Sequence, residues 1–523
     1  MHGRLQTAFV QARLRSREPR PSLRVALWGT FKPRFAALAA VALLAAGCGG
    51  GGASGEGDPA TAVPANAVAY AEVVVRPEGS QRDDALAAAG KVLLTDDPEG
   101  TIRELVNQAL EEQVDYARDV EPWLGERAAV WLSGDVDNPG VVVLAATDTD
   151  EAEASLERVL ETTTERSHRG HQYLVDGSGV AAGVVGEFVA IGREAGFKRT
   201  IDAAEGDSLA DTDEYADAVD ALEDERLAHF WVDTAALLGR AQEMHELSAL
   251  VPLDDLPPIA GSFAADGDRL TVETKLRGAD RGFGPLLAGA STPLLQELPA
   301  DSWAAAGSAD VGEAIRATVD GFAGTIGGLA ARREFQRRTG LDLDRDLLDW
   351  IGHVAFFVRG TTPATLDGGV VIQPTDEDRA ADAFARVVGA IQVAAKVRAR
   401  PVDVAGADQA FEIADARAAS LPVVIARGSG LVVATAGREA AEAALSSGDR
   451  LGDTDTYSEA EELVGMEPGA LVSMPQLLEL IDAFGADPDF EEARPYLEAF
   501  SVLAAGSTAK GDEATGRFAA RLR

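Results

Sequence analysis

The sequence predicts an α+β protein: two duplicated units of mostly antiparallel sheet with packed helices, carried behind a lipoprotein-type signal and a flexible tether. Three observations predict it. First, short phrases recur in a kept order. Trp123-Leu124-Gly125 matches Trp350-Ile351-Gly352, and Val142-Val143-Leu144 matches Val370-Val371-Ile372. Gly192-Arg193-Glu194-Ala195 returns as Gly437-Arg438-Glu439-Ala440, and Asp211-Thr212-Asp213 as Asp453-Thr454-Asp455. Second, each valine run leads through an acidic first turn into apolar residues at helical spacing: Leu156, Val159 and Leu160, then Phe384, Val387 and Val388. Acidic residues suit the positive end of a helix dipole, and the spacing puts the apolar residues on one face. Third, Gly261–Ala265 and Leu270–Leu276 flank Asp266-Gly267-Asp268, a hairpin signature.

The elements follow in order. Residues 1–47 are a leader and lipoprotein signal peptide. The apolar run Phe35–Ala46 follows Lys32 and Arg34 and ends at Gly47 before Cys48, the only cysteine. Twelve apolar residues are too few for a spanning helix, which takes about 20. Cys48 is therefore read as the lipidated first residue of the mature chain. Five arginines from Arg13 to Arg24 make the leader long for this class, which places the start of translation further in, near Val25 or Leu27. Residues 48–64 are a glycine-rich tether without core-forming residues. The first unit is 65–278, a connector with Gly and Pro breaks is 279–297, and the second unit is 298–523. Strand-like runs in the first unit are Ala67–Val75, Ala128–Leu132, Val141–Ala146, Gln172–Val175, Gly183–Ile191, His229–Val232 and Leu270–Leu276. In the second they are Val354–Val358, Val370–Ile372, Pro422–Ala426, Leu431–Thr435 and Gly516–Leu522.

Composition bounds the partners. The 523 residues carry a net charge of −39, and the leader holds eight basic residues against one acidic, so removing it leaves −46. Such a surface repels nucleic acid and gains nothing from anionic headgroups; a protein partner is expected to be basic. With Cys48 lipidated, no thiol is left for a disulfide.

Val63–Val73 (VPANAVAYAEV) and Leu341–Gly352 (LDLDRDLLDWIG), together with the signal, resemble the bacterial Domain of Unknown Function 3352 family. Asn66 replaces the family's acidic residue in the first phrase, and Ile351 replaces a leucine in the second. The resemblance implies an extracytoplasmic protein without assigned activity, and it brings no catalytic residues.

Candidate chemistry reduces to structure. Asp342-x-Asp344-x-Asp346 opens like a calcium loop, but the sixth and twelfth positions are Leu347 and His353, not glycine and glutamate. It reads as a helix start running into Trp350. The acidic elements at 148–150, 211–213 and 453–455 suit helix N-caps. His168 and His171 lack the further ligands that zinc wants and read as a solvated turn. Gly177-Ser178-Gly179-Val180-Ala181-Ala182 mimics a dinucleotide loop but is followed by a strand-like run, so it reads as a hairpin turn. Trp123 and Trp350 are assigned to the core.

No nucleophile, base and orienter occur together, and no cofactor or metal site emerges. The expected protein is a non-enzymatic binding or interaction module, held by Cys48 on the extracytoplasmic face of the cell membrane. A carrier or sensor of an apolar ligand, and an extracytoplasmic hydrolase with an unrecognised site, are the alternatives. The seam between the units is the expected place of binding.

Overall fold

A computed structural model describes residues 57–110, 114–135, 138–160, 163–223, 225–243, 256–278, 291–323, 326–395, 397–414, 422–485 and 488–523. Cys48, the signal and most of the expected connector lie outside the described residues.

The first unit supplies β1 (Ala69–Val74), β2 (Leu124–Leu132), β3 (Gly140–Ala146), β4 (Thr163–His168), β5 (His171–Asp176), β6 (Val180–Val185), β7 (Phe188–Arg193), β8 (Ala228–Val232), β9 (Ile259–Asp266) and β10 (Arg269–Arg277). The second supplies β11 (Ser302–Ser308), β12 (Ile351–Arg359), β13 (Asp367–Pro374), β14 (Arg398–Pro401), β15 (Gln409–Ala414), β16 (Val423–Gly428), β17 (Leu431–Ala436), β18 (Pro468–Ser473), β19 (Phe500–Lys510) and β20 (Glu513–Leu522). All pairings are antiparallel and join these strands into one sheet. The first unit runs β4-β5-β6-β7-β3-β2-β1-β8-β9-β10 in space. The second runs β14-β15-β16-β17-β13-β12-β11-β18-β19-β20, the same order strand for strand. The units meet edge to edge, where β10 pairs with β20.

Helices cover both faces, so the central strands are apolar on both sides and alternate in what they serve. Val141, Val143 and Ala145 of β3 pack with Phe197, Ile201 and Tyr215 on one face. Val142, Leu144 and Ala146 pack with Val106, Trp123 and Leu156 on the other. The second unit repeats this, with Val371, Val433 and Tyr457 in one layer and Trp350, Phe384 and Val432 in the other. Leu156 and Phe384 are buried as their spacing predicts; Val159 and Val387 sit at the layer margin, only partly covered.

Three expectations are corrected. The tether does not extend to Pro64: Asp58 caps a short turn, Pro59–Ala62, whose Ala60 and Ala62 are buried with Val63. Alanine and proline count as linker by composition, yet here they are small enough to fit against the sheet. The second unit likewise starts before Leu298, since Thr292 caps Pro293–Leu295 and buries Leu294 and Leu295. Gly183–Ile191 is not one strand but the hairpin β6–β7, because Gly186 has φ +61 and turns the chain back. Asp342 does open a helix running toward Trp350, its side chain accepting from Arg345 N–H, and the helix is of π type over Asp344–Leu348.

Candidate functional site

A row of buried polar residues crosses the sheet and its seam. Glu72 on β1 lies opposite His229 on β8, His229 opposite Ser262 on β9, Ser262 opposite Glu273 on β10, and Glu273 opposite Arg517 on β20. Directly opposite residues share a face and stand about 5 Å apart. Glu72, His229, Ser262 and Glu273 are all buried.

The side chains divide into two groups. At the β1 end, Tyr70 Oη donates to Glu72 Oε2 at 2.6 Å, and Arg127 Nη1 approaches Glu72 Oε1 at 3.3 Å. Tyr215 Oη meets His229 Nε2 at 3.1 Å, with the Tyr70 and Tyr215 rings edge to face at 5.6 Å. At the seam, Lys275 Nζ lies 3.0 Å from Glu273 Oε1, and Arg517 bridges Glu273, Glu223 and the Val464 carbonyl. A polar space of about 180 Å³ opens there beside Ser262, Glu223 and Leu463.

Serine, histidine and glutamate thus stand side by side, the residue types of a hydrolase triad. Their bonds go elsewhere: Glu72 serves Tyr70 and Arg127, and His229 serves Tyr215. Burial, aided by Arg226 and Arg127, pushes the His229 pKa down to about 3, so the ring is neutral at ordinary pH. Burial raises the pKa of Glu72. A neutral histidine whose unfolded pKa is about 6.5 takes up a proton on unfolding. Its contribution to stability is therefore complete above about pH 6.5 and declines as pH falls toward 3; Glu72 acts in the opposite sense. His229→Gln is expected to flatten the fall in melting temperature between pH 7 and pH 5, and equal slopes in variant and wild type would refute this assignment.

The sequence-level candidates fall as follows. His168 and His171 face each other across the β4–β5 turn, and each binds a carboxylate, His168–Asp202 at 2.9 Å and His171–Glu205 at 3.0 Å. Arg169 sits on both carboxylates. The imidazoles are engaged rather than solvated; the signal missed was Asp202 and Glu205, three apart at the end of the helix Glu194–Ala204. Among the described residues no group of three or more metal-ligating side chains is arranged to hold an ion. Gly177–Gly179 turns the chain between β5 and β6, as expected. Asp148 and Thr454 cap their helices through side-chain bonds to Glu151 N–H and Tyr457 N–H.

A repeated constellation escaped the sequence reading: Asp-x-x-Arg-Asp-x-x-x-Trp at 115–123 and 342–350. Asp119 and Asp346 are buried, each held by the backbone N–H four residues back and by the adjacent arginine, Arg118 or Arg345. A second arginine arrives from the following helix, Arg158 or Arg386. The arginine bonds lower the pKa of Asp119 and push that of Asp346 down to about 2. Trp123 Nε1 and Trp350 Nε1 close each turn by donating to the Asp119 and Asp346 carbonyls at 2.7 and 2.9 Å. With all partners present, this is a staple between turn and helix.

The opposite face of the seam is different. There a groove of about 350 Å³ is floored by small residues, with Val272, Thr274, Ala470, Ala505, Gly516 and Phe518 on its walls. Phe518 is 47% exposed, and Phe356 on nearby β12 is 55% exposed. In the first unit the Phe230 ring lies over Gly261, where an added Cβ would meet it at 2.4 Å. The pair Phe230–Gly261 corresponds to Ala470–Ala505 in the second unit, so the replacement of phenylalanine by alanine hollows the groove. The helix Gly79–Leu93 also packs over β9.

The family model for DUF3352, described as protein of unknown function, matches residues 35–408. No curated protein matches. Among solved structures, crystal form IV of TP0453 is 9% identical, with 42% of this chain and 81% of that chain covered at a TM-score of 0.26. Form I gives 8%, 42%, 79% and 0.24, and form III gives 8%, 43%, 81% and 0.25.

Proposed function

This chain belongs to the DUF3352 family, proteins of unknown function, and we propose that it is a lipid-anchored extracytoplasmic binding module, tethered by Cys48, that engages an apolar segment of a basic protein partner in the seam groove. The observation that carries the reading is the exposed pair Phe518 and Phe356 beside a hollow that the first unit fills with its own phenylalanine. Exposed apolar patches rimmed by polar residues mark interaction sites. In the buried row on the other face Glu72 is engaged by Tyr70 and Arg127, His229 by Tyr215, and Glu273 by Lys275 and Arg517, which supports binding over catalysis. The apolar space beside Trp123, about 20 Å³, is too small for a carried ligand.

The test is crosslinking capture from native membranes. Phe518→Glu is expected to abolish a partner band that wild type gives, while Phe484→Glu, at an exposed ring outside the groove, keeps it. The captured partner should be basic and should dissociate as salt rises, because exposed charges are screened beyond about 8 Å at physiological ionic strength. Capture indifferent to Phe518→Glu would reject the groove. A hydrolytic activity abolished by one point mutation would reject the non-enzymatic reading.

A further inference from the structure

The two strands at the seam are equivalent members of the duplicated units. β10 begins at Arg269, which pairs with Asp266 across a two-residue turn; β20 begins at Glu513, which pairs with Lys510 in the same way. Four residues on from each start stand Glu273 and Arg517, and these face each other. The pseudo-two-fold axis relating the seam strands therefore passes through this pair. Eight residues on from each start stand Arg277 and Arg521, and both reach an acid at the far end of the seam: Arg277 to Glu513 at 3.7 Å, Arg521 to Asp268 at 2.9 Å. The flanks keep the two-fold pattern only in part: Arg277 and Arg521 are equivalent, but the strand starts Arg269 and Glu513 differ in charge. The axial position also carries opposite charges at equivalent places, and it alone faces its own equivalent across the seam.

On a true two-fold axis a residue meets its own copy. Had the units joined as two identical chains, the axial contact would set glutamate against glutamate or arginine against arginine. Here Glu273 is 3% exposed, where like charges are strongly unfavourable. Arg517 also ties the seam to both units, through Glu223 of the first and the Val464 carbonyl of the second.

We propose that Glu273 and Arg517 are the keying pair of the seam: they close the two fused units into one sheet in a single register and exclude pairing of either seam strand with its own kind from a second copy. Val272 and Phe518, the next pair along β10 and β20, form the groove on the opposite face, so the same contact positions that surface. The inference does not rest on what the groove binds.

Charge reversal tests it in the full chain. Glu273→Arg and Arg517→Glu each place like charges on the axis. Hydrogen exchange of the amides in 269–277 and 513–522 is expected to speed up at least about tenfold in either single variant, with β3 and β13 unchanged. The double swap should return the seam to wild-type protection. Should a single reversal give no folded protein, glutamine replaces it: Glu273→Gln and Arg517→Gln should each loosen the seam, and the pair together less than either alone, because no buried charge is left unpaired. Seam exchange unchanged in the singles, or a double variant no better than the worse single, would overturn the proposal.

Discussion

Truncating Trp123 or Trp350 to alanine is expected to cost its unit about 3–5 kcal/mol, the range for deleting a large buried aromatic. Both rings are buried. Each fills the layer between the sheet and a helix, Thr149–Val159 for Trp123 and Glu377–Ala395 for Trp350, and each holds its π-type turn shut through the indole N–H. The conservative change to phenylalanine should separate the units. In the first, the Ser155 hydroxyl also donates to the Asp119 carbonyl, so Trp123→Phe leaves that oxygen a partner. In the second, Ala383 holds the corresponding place on the helix Glu377–Ala395 and supplies no donor. Trp350→Phe should therefore lose about 1–3 kcal/mol, the penalty for an unpaired buried acceptor, and Trp123→Phe closer to 1 kcal/mol. Denaturant midpoints of the four variants measure this. Equal losses for the two phenylalanine variants would show that the serine is not the compensating donor.

The two-unit α+β architecture was legible because duplication writes the same signal twice: the Trp-x-Gly phrases, the valine runs and the acidic helix starts fall on equivalent elements. What was hidden follows from physics that acts across the chain. β4 (Thr-Thr-Glu-Arg-Ser-His) lies at the free edge of the sheet, so it carries no apolar alternation. β11 (Ser-Trp-Ala-Ala-Ala-Gly-Ser) has little strand propensity of its own and is set by the strands on both sides of it. The polar row could not be read from the sequence at all. Glu72, His229, Ser262, Glu273 and Arg517 are scattered along the chain, and only the strand order puts them in line. The repeated Asp-x-x-Arg-Asp-x-x-x-Trp phrase is present in both units, and its arginine binds the adjacent aspartate in each. Charge and spacing alone could have found it, since an aspartate flanked by arginine and placed four before a tryptophan recurs at the same point of each unit.

Cys48→Ser is expected to move the whole mature protein from the membrane to the soluble fraction. Each methylene buried in the bilayer contributes about 0.8 kcal/mol, and two acyl chains suffice for stable attachment where one does not. Among the described residues no helix is long and apolar enough to cross a membrane. Without residues 1–47 the net charge would be −46, which anionic headgroups repel. Asp58 already belongs to the fold, so the expected leash from Cys48 is shorter than one ending at Ala65. The nine residues between Cys48 and Asp58 reach at most about 30 Å, against more than 50 Å had the tether run to Pro64. Lengthening the tether by a Gly/Ser insertion should leave membrane attachment intact, because the acyl chains and not the protein surface supply it. A Cys48→Ser protein that stays in the membrane fraction after signal cleavage would transfer the anchoring role to the folded surface.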